Sequence, residues 1–267
     1  MIDLHTHLLW DWDDGPDDKA QARAMCDIAE KDGIRAMGVT PHIYRLCRHG
    51  DDLDVFRARM VEFAAEMAGV PIDFHWGAEV FVHPGVVAAV ERFKFTLDAT
   101  NYVFLELPSD AVPPGASNLI YGLLAKGFVP IISHPERNRG FVERPELLYE
   151  LVLMGCLAQV TAMSLTGDFG KETRSAAGLF LVHNLVHIIA SDAHSSYLRP
   201  PVLSGAVEAA RKIAGGAKAE AMVTEIPQAI LDNKAVPDWG EPENPLRRKT
   251  WTERLPRPKK KYLVKIK

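Results

Sequence analysis

Two pairs of metal-ligand residue types, each with one-residue spacing, lie at opposite ends of the main part of the sequence. His5 and His7 form an H-x-H pair near the start, and Asp192 and His194 form a second pair in IIASDAH. Side chains at positions i and i+2 of an extended chain point to the same side, so both members of a pair can reach one ion. Each pair follows a short apolar run, which places it at the end of a predicted strand.

Five further candidate ligands follow other apolar runs or the turn after the first pair. They are Asp14 in DWDDGP (next to Asp13), His42 in VTPH, Glu79 in HWGAEV, Glu106 in FLELP and His134 in IISHPER. Taken alone, a histidine at a strand end is more often a hydrogen-bonded structural residue, and a lone carboxylate is more often a helix cap or a solvated loop residue. The set is more informative than its members, because crowded carboxylates repel one another unless a proton or a cation neutralises them.

We therefore predict a site for divalent metal ions. Mixed histidine and carboxylate ligands without cysteine suit Zn²⁺, Mn²⁺ or Fe²⁺. Nine candidate ligands exceed what one ion needs, so we expect two or three ions. Neighbouring ions of this kind can clamp a phosphate and acidify a water molecule.

Two arginines follow candidate ligands closely. Arg137 lies three residues after His134, and Arg199 lies five residues after His194. A guanidinium group matches two phosphate oxygens, so we predict that both arginines bind a phosphoryl group. Either one alone could equally be a surface residue, and Arg139 is a weaker candidate.

Apolar runs alternate with helical stretches along the chain. Strands are predicted over residues 1–4, 34–39, 72–76, 101–107, 128–133, 156–160 and 185–190, and helices over 17–32, 52–68, 84–93, 116–126, 145–154, 171–184 and 202–213. Nearly continuous apolar strands are typical of buried parallel sheets. The predicted α/β fold is a closed or nearly closed βα barrel, with an open doubly wound sheet as the alternative. In a barrel, active sites form at the carboxyl ends of the strands, where the candidate ligands fall.

The cysteines and the common nucleotide motifs exclude other chemistries. Cys26, Cys47 and Cys156 are far apart and odd in number, and none is followed by the arginine that a cysteine phosphatase loop needs. There is no G-x-x-x-x-G-K-[ST] or G-x-G-x-x-G motif. Because a disulfide framework is unlikely with such cysteines, we expect a protein of the reducing cytoplasm. The first residues, MIDLHTH, lack the features of a signal peptide, and no apolar run is long enough to span a membrane.

The net charge of −4 is unevenly distributed. From Glu243 to the end there are ten Lys or Arg against two Glu, so the preceding body carries about −12. An acidic body argues against nucleic acid as a partner.

We predict a catalytic barrel over residues 1–235 and a basic, Pro-rich tail over 236–267, partly disordered. Its clusters Arg247–Lys249 and Lys259–Lys261 could contact an anionic membrane weakly, or could simply be solvated.

The motifs MIDLHTHLLWDWDDGP, TPH, GAE, LELP, SHPER and SDAH, followed by RPP, together resemble the PHP (polymerase and histidinol phosphatase) superfamily. Within it, they resemble the CpsB/CapC type of bacterial tyrosine-protein phosphatases, from residue 1 to about residue 233. The resemblance implies a distorted seven-stranded, TIM-like βα barrel with a site for three metal ions, typically Mn²⁺, with Fe or Zn as alternatives.

The resemblance also implies a division of the ligands. One ion takes His5, His7, Glu79 and Asp192, a second shares Glu79 and adds Glu106 and His134, and a third takes Asp14, His42 and His194. A metal-bound hydroxide attacks phosphorus while Arg137 and Arg199 hold the phosphoryl oxygens. The implied substrate is phosphotyrosine on an autophosphorylating tyrosine kinase that controls capsule or exopolysaccharide export.

Several alternative functions remain open at this point. One is a PHP phosphatase for a small ester such as histidinol phosphate, and another is a phosphodiesterase, which the acidic body disfavours. A third is an inactive scaffold that binds a phosphorylated partner, although none of the nine candidate ligands is missing. Amidohydrolases also begin with H-x-H, but they usually carry a carboxylated lysine where Glu79 or Glu106 stands here. The sequence gives no prediction of the oligomeric state.

Overall fold

The computed structural model describes residues 1–44, 53–238 and 240–246, in which short strands alternate with helices. The strands are β1 (Ile2–Thr6), β2 (Ala36–Val39), β3 (His42–Ile43), β4 (Asp73–Trp76), β5 (Glu79–Phe81), β6 (Tyr102–Glu106), β7 (Val129–Ile132), β8 (Leu157–Thr161) and β9 (Ile188–Ala190). The helices are α1 (Lys19–Lys31), α2 (Leu53–Glu66), α3 (Val86–Phe93), α4 (Ala116–Ala125), α5 (Arg139–Glu143), α6 (Glu146–Leu153), α7 (Ala162–Thr166), α8 (Lys171–Val182), α9 (Ser204–Ala214), α10 (Gly216–Ala221) and α11 (Glu225–Leu231). A single 3₁₀ turn, Pro135–Arg137, follows β7.

All strand pairs in the sheet are parallel. Three strands pair in the order β1-β2-β4, and six pair in the order β3-β5-β6-β7-β8-β9. Backbone hydrogen bonds then join the segment after β9 to β1: the Asp192 N–H donates to the His5 carbonyl, and the His7 N–H donates to the Ala193 carbonyl, both over 2.9 Å. The sheet is therefore a curled parallel βα barrel, as predicted, and the open doubly wound alternative is wrong.

The strand count differs from the predicted seven, because nine strand segments occur in the described ranges. The run predicted over 34–39 ends at Val39 and resumes at His42, and the run over 72–76 resumes at Glu79. Since β2 pairs with β4 and β3 pairs with β5, the two breaks lie side by side. Pro41, which has no N–H to donate, occupies one break.

The strands are apolar because helices cover one face and the barrel interior covers the other. Every residue of β6 and of β8 is buried. The first helix shows how a helix covers the sheet: α1 buries Ala22, Met25, Cys26 and Ala29, which recur at helical spacing. Asp18 caps this helix by accepting the Gln21 N–H over 2.9 Å.

The short helices α5, α7, α10 and α11 were not predicted, because five to seven residues are too few to show a helical period.

The described part of the predicted tail has neither helix nor strand, and it lies against the barrel. The Glu243 N–H donates to the His183 carbonyl over 2.8 Å, and the Asn184 side chain donates to the Glu241 carbonyl over 3.0 Å. The basic clusters Arg247–Lys249 and Lys259–Lys261 lie outside the described residues, so the proposed boundary at residue 236 stays a prediction. In the part of the chain that is described, no helix has the length and apolar character to cross a membrane.

Gly38 permits the close approach of β2 to β1, and its replacement should destabilise the barrel. A Cβ at this position would lie 2.2 Å from the Leu4 carbonyl oxygen, a backbone atom that cannot move alone. We expect Gly38→Ala to lower the free energy of unfolding by about 2–3 kcal/mol, as overpacking does. Urea denaturation monitored by circular dichroism measures this change.

Gly178 in α8 provides the matched control. A Cβ there meets only the end of the Ile213 side chain, at 3.9 Å. In a helix interior, Gly→Ala is worth about 0.5–1 kcal/mol of stabilisation. A Gly38→Ala variant as stable as Gly178→Ala would contradict the packing described here.

Candidate metal centre

The nine candidate ligands gather at the carboxyl ends of the strands. His5 lies in β1, His42 in β3 and Glu79 at the start of β5, whereas the sequence predicted each of them just after a strand. The complete set is His5, His7, Asp14, His42, Glu79, Glu106, His134, Asp192 and His194, of which all but Asp14 and His134 are buried. The structure thus brings together every residue that the sequence proposed for the metal site.

Glu79 lies at the centre of this group. Its Oε1 is 3.1 Å from His134 Nε2 and 3.4 Å from His5 Nε2. Its Oε2 is 3.0 Å from His42 Nδ1 and 3.6 Å from His7 Nε2. Both oxygens are fully buried, yet neither makes a hydrogen bond of good geometry within the described part of the chain. A buried carboxylate in this state is costly unless a cation satisfies it.

The potential ligand atoms form three overlapping groups, in each of which the atoms lie within 4.8 Å of one another. These groups are His7, Asp14, His42 and His194; His5, His7 and Asp192; and His42, Glu79 and Glu106. The three groups resemble the three ligand sets that the family resemblance implies, except that His7 and His42 each belong to two groups. His134 lies outside these three groups, but its Nε2 is 3.1 Å from Glu79 Oε1 of the third group.

The spacing of ligand atoms fits a bound cation. His5 Nε2 and His7 Nε2 lie 3.3 Å apart. Two imidazole nitrogens bound to one ion at about 2.1 Å and a tetrahedral angle would lie about 3.4 Å apart. Two lone pairs facing each other at this distance repel, so the pair requires a proton or a metal ion between them.

Hydrogen bonds fix which nitrogen of each imidazole faces the centre. Gln159 Oε1 accepts the His134 backbone N–H over 3.2 Å and lies 3.1 Å from His5 Nδ1. His5 Nδ1 therefore donates, and Nε2 is free to bind an ion. His7 Nδ1 is held in the same way, 2.8 Å from Asp13 Oδ2. Such partners orient metal-bound histidines and increase their affinity for the ion.

Two of the ligands stand on strained backbone. His134 and Asp192 have φ angles of 32° and 52°, in the left-handed region that residues other than glycine rarely adopt. Each such residue costs about 1–3 kcal/mol. The Gln159 side chain holds the His134 N–H, and the His5 carbonyl holds the Asp192 N–H. Strain of this kind is typical of functional sites.

The electrostatics of the metal-free centre favour positive charge, which either protons or metal ions can supply. Burial raises the pKa of Glu79, but the charges of His5 and His42 outweigh burial and hold that pKa well below its ordinary value. Burial lowers the pKa of His7, but the Asp13 carboxylate outweighs it and raises that pKa to about 9. In the same way, the Glu79 carboxylate outweighs burial and raises the pKa of His42 to about 11. These imidazoles hold protons at neutral pH that a metal ion must displace.

The two predicted arginines converge on one ligand. Arg137 Nη1 and Arg199 Nη2 both donate to Asp192 Oδ2. Arg199 also donates to the Asp192 carbonyl over 3.0 Å, and its Nε is buried with no hydrogen-bond partner among the described residues. A cavity of about 90 Å³ is lined by Arg137 together with His134 and Glu106. Arg139, the weaker candidate, is exposed and pairs with Glu143.

The sequence analysis did not predict the roles of several residues that support the metal ligands and the two arginines. Glu136 is buried and accepts hydrogen bonds from the Thr161 N–H at 2.9 Å and the Ser164 hydroxyl at 2.6 Å, so it ties the loop that carries Arg137 to β8. Gln159 was detectable as a polar residue in an otherwise apolar strand, and Asp13 was noted without a role. Phe169, whose ring contacts both guanidinium groups, gave no signal of its own.

The two cysteines in the described part of the chain take no part in the centre. Cys26 and Cys156 are buried and free, and burial raises the pKa of each thiol to about 12. Neither can supply a thiolate near neutral pH. Cys47 lies outside the described residues.

A family model for capsular polysaccharide synthesis proteins, CpsB/CapC, matches residues 1–232 of the chain. The chain is 34% identical to tyrosine-protein phosphatase YwqE of Bacillus subtilis over 257 residues, which cover 93% of the chain and 98% of the relative. It is 33% identical to the putative tyrosine-protein phosphatase CapC of Staphylococcus aureus over 206 residues, covering 76% and 80%.

Solved structures agree with these matches. A crystal structure from work on YwqE of Bacillus subtilis and CpsB of Streptococcus pneumoniae, described as unique metal-dependent tyrosine phosphatases, superposes with a TM-score of 0.85 at 32% identity, covering 93% of this chain and all of that one. A histidinol phosphate phosphatase from Lactococcus lactis, complexed with zinc, L-histidinol and phosphate, superposes with a TM-score of 0.53 at 12% identity, covering 80% and 92%. The second likeness shows a shared fold.

Metal binding should release protons, and Asp13 should control one of them. Because the pKa of His7 is raised to about 9, this imidazole is protonated in the metal-free protein at pH 7 and must lose its proton to bind an ion. The apparent affinity for Mn²⁺ should therefore rise about tenfold or more per pH unit between pH 6 and 8. Calorimetry in buffers of different ionisation enthalpy counts the protons released.

Asp13→Asn should reduce this release by about one proton, because the charge that raises the His7 pKa is removed. Asp98→Asn is the matched control, since Asp98 pairs at 2.7 Å with His75 of β4, and neither residue is among the nine candidate ligands. Proton release that is independent of pH, or that changes equally in both variants, would contradict this electrostatic account.

Proposed function

Because the chain belongs to the CpsB/CapC family of capsular polysaccharide synthesis proteins, we propose that it is a metal-dependent protein-tyrosine phosphatase. Its substrate is a phosphotyrosine-bearing protein, and the family's role in capsule synthesis makes an autophosphorylating tyrosine kinase of that system the expected partner. Relatives named as tyrosine-protein phosphatases match nearly the whole chain, which supports the assignment. We place the reaction in the cytoplasm.

One observation carries this proposal: two guanidinium groups converge beside a cluster that requires cations. A phosphate monoester carries up to two negative charges on three oxygens, so it needs several positive partners in one place. Arg137 and Arg199 offer such partners at Asp192 Oδ2. The Nε of Arg199 has no hydrogen-bond partner within residues 1–44, 53–238 and 240–246, so it is a donor ready for an oxygen. Bidentate donors of this kind recognise phosphoryl groups better than point charges do.

We assign the nine ligands to three ions, for which Mn²⁺ is the expected metal. The first set is His5, His7, Glu79 and Asp192; the second is Glu79, Glu106 and His134; the third is Asp14, His42 and His194. Such ions, when bound, supply Lewis acidity and lower the pKa of a water molecule. The overlap of His7 and His42 between groups supports closely spaced ions rather than separate sites.

The protein groups around the ions bind and orient the substrate. Arg137 and Arg199 hold two phosphoryl oxygens, while Asp192 keeps both guanidinium groups on one side of the cluster. Fixed donors beside developing charge stabilise a transition state without reorganisation. Tyrosine leaves as a phenolate with a pKa of about 10, so the reaction needs no strong general acid. The acidic body disfavours a nucleic acid substrate.

The first test is hydrolysis by metal-stripped protein that is refilled with Mn²⁺. Substrates are a phosphotyrosine peptide, a phosphoserine peptide, histidinol phosphate and bis(p-nitrophenyl) phosphate. We expect activity that depends on the metal, with the highest kcat/KM for the phosphotyrosine peptide. A preference for histidinol phosphate or for the diester would overturn the substrate assignment, and no turnover of any compound would overturn the phosphatase assignment.

A second test separates the phosphoryl-binding arginine from its neighbours. Arg137→Lys keeps the charge but loses the planar pair of donors, so kcat/KM should fall by about 100-fold at unchanged metal content. Arg139→Lys is the matched control, because Arg139 lies two residues away and is exposed. Equal rates for both variants, measured under the same steady-state conditions, would remove Arg137 from the active site.

A further inference from the structure

Phe169 lies in a tight turn beside the two arginines of the centre. The turn runs from Gly167, which follows α7, to Gly170, which precedes α8, and both glycines have positive φ angles of 99° and 93°. The Gly170 N–H donates to the Gly167 carbonyl over 2.9 Å, and the Thr166 hydroxyl bonds to the Asp168 carboxylate. Other residue types rarely adopt these φ angles, so the backbone fixes the direction in which the Phe169 side chain leaves the turn.

The Phe169 ring contacts both guanidinium groups. The Cζ atom of Arg137 lies 4.9 Å from the ring centroid, and that of Arg199 lies 5.9 Å from it. Both distances are within the range of cation–π attraction. Because both guanidinium groups also donate to Asp192 Oδ2, two like charges converge on one oxygen. The negative face of an aromatic ring offsets part of their repulsion.

Asp192 divides its two oxygens between the arginines and the imidazoles. Oδ2 accepts the guanidinium groups, whereas Oδ1 lies 3.4 Å from His7 Nε2 and 3.6 Å from His194 Nδ1. A cation held at Oδ1 withdraws negative charge from the carboxylate and weakens its attraction for the arginines. The attraction of the ring is independent of that cation. The contact between Phe169 and the two guanidinium groups therefore persists when the centre binds metal ions.

We propose that Phe169 is a positioning residue that holds the guanidinium groups of Arg137 and Arg199 in place for the phosphoryl group. This inference rests on the proposed function, since it concerns the same site. It predicts that Phe169 sets the affinity for any phosphoryl group, regardless of what the phosphate is attached to. A ring that instead stacked on the substrate's tyrosine would affect aryl phosphates alone.

The test compares Phe169→Leu with Phe169→Trp in the metal-loaded, full-length protein. Leucine keeps an apolar side chain but removes the π face, so the Kd of inorganic phosphate, measured by calorimetry, should rise about threefold to tenfold. The kcat/KM values for an aryl and an alkyl phosphate should fall by the same factor. Tryptophan, the strongest cation–π partner, should retain the affinity of the original protein.

Two controls separate this role from a general loss of structure. Phe93→Leu makes the same change where Arg92 lies 4.8 Å from a ring outside the centre, and it should leave phosphate affinity unchanged. In an Arg137→Gln background, the effect of Phe169→Leu should shrink, because its closer partner is already absent. Metal content and thermal midpoint show whether each variant is folded.

The outcomes are distinct for the two proposals. Unchanged phosphate affinity in Phe169→Leu, a full effect in the Arg137→Gln background, or a loss restricted to aryl phosphates would each overturn the role of Phe169. Protein that binds phosphate but hydrolyses no monoester would overturn the proposed function instead, and the ratio of phosphate affinities would still decide the role of Phe169.

Discussion

The buried carboxylate of Glu79 among four imidazoles is the interaction on which the centre depends. Its oxygens lie 3.0–3.6 Å from histidine nitrogens and lack well-formed hydrogen bonds in the described part of the chain. Protons on His7 and His42 supply part of the balancing charge in the metal-free protein, but they leave both Glu79 oxygens without well-formed hydrogen bonds among the described residues. Divalent cations satisfy the lone pairs of several ligands at once. The metal requirement is therefore a consequence of burial and crowding. The two arginines that we propose bind phosphate lie beside the cluster, on Asp192.

The barrel makes this crowding possible. Parallel strands all end at the same rim, so residues that are far apart in sequence meet there. The adjacent breaks in β2–β3 and β4–β5 bring His42 and Glu79 inward, and these residues pair in register across β3 and β5. Left-handed backbone at His134 and Asp192 turns two further ligands toward the centre. Hydrogen bonds to Asp13 and Gln159 orient the imidazoles of His7 and His5. The strained backbone at His134 and Asp192 costs conformational free energy, and it places the ligands rigidly.

Much of this arrangement was predictable from sequence, because strand ends are local features and their meeting place follows from the fold class. All nine candidate ligands and both arginines are gathered at one rim, and the resemblance to CpsB/CapC proteins is confirmed by the family match. The strand breaks and short helices were not predictable, since they span too few residues to show a period. The roles of Phe169 and Gln159 were not predicted, because they depend on contacts between distant parts of the chain. The role of the Phe169 ring is evident only from the structure, in which the turn between α7 and α8 places it against two arginines.

The most direct test of the central claim is a crystal structure of the Mn²⁺-loaded protein with anomalous diffraction data collected at the manganese edge. Two or three anomalous peaks should lie within the cluster, with Glu79 contacting at least two of them and Asp192 Oδ1 contacting one. A single peak that Glu79 does not contact, or no peak at the rim of the barrel, would contradict the account.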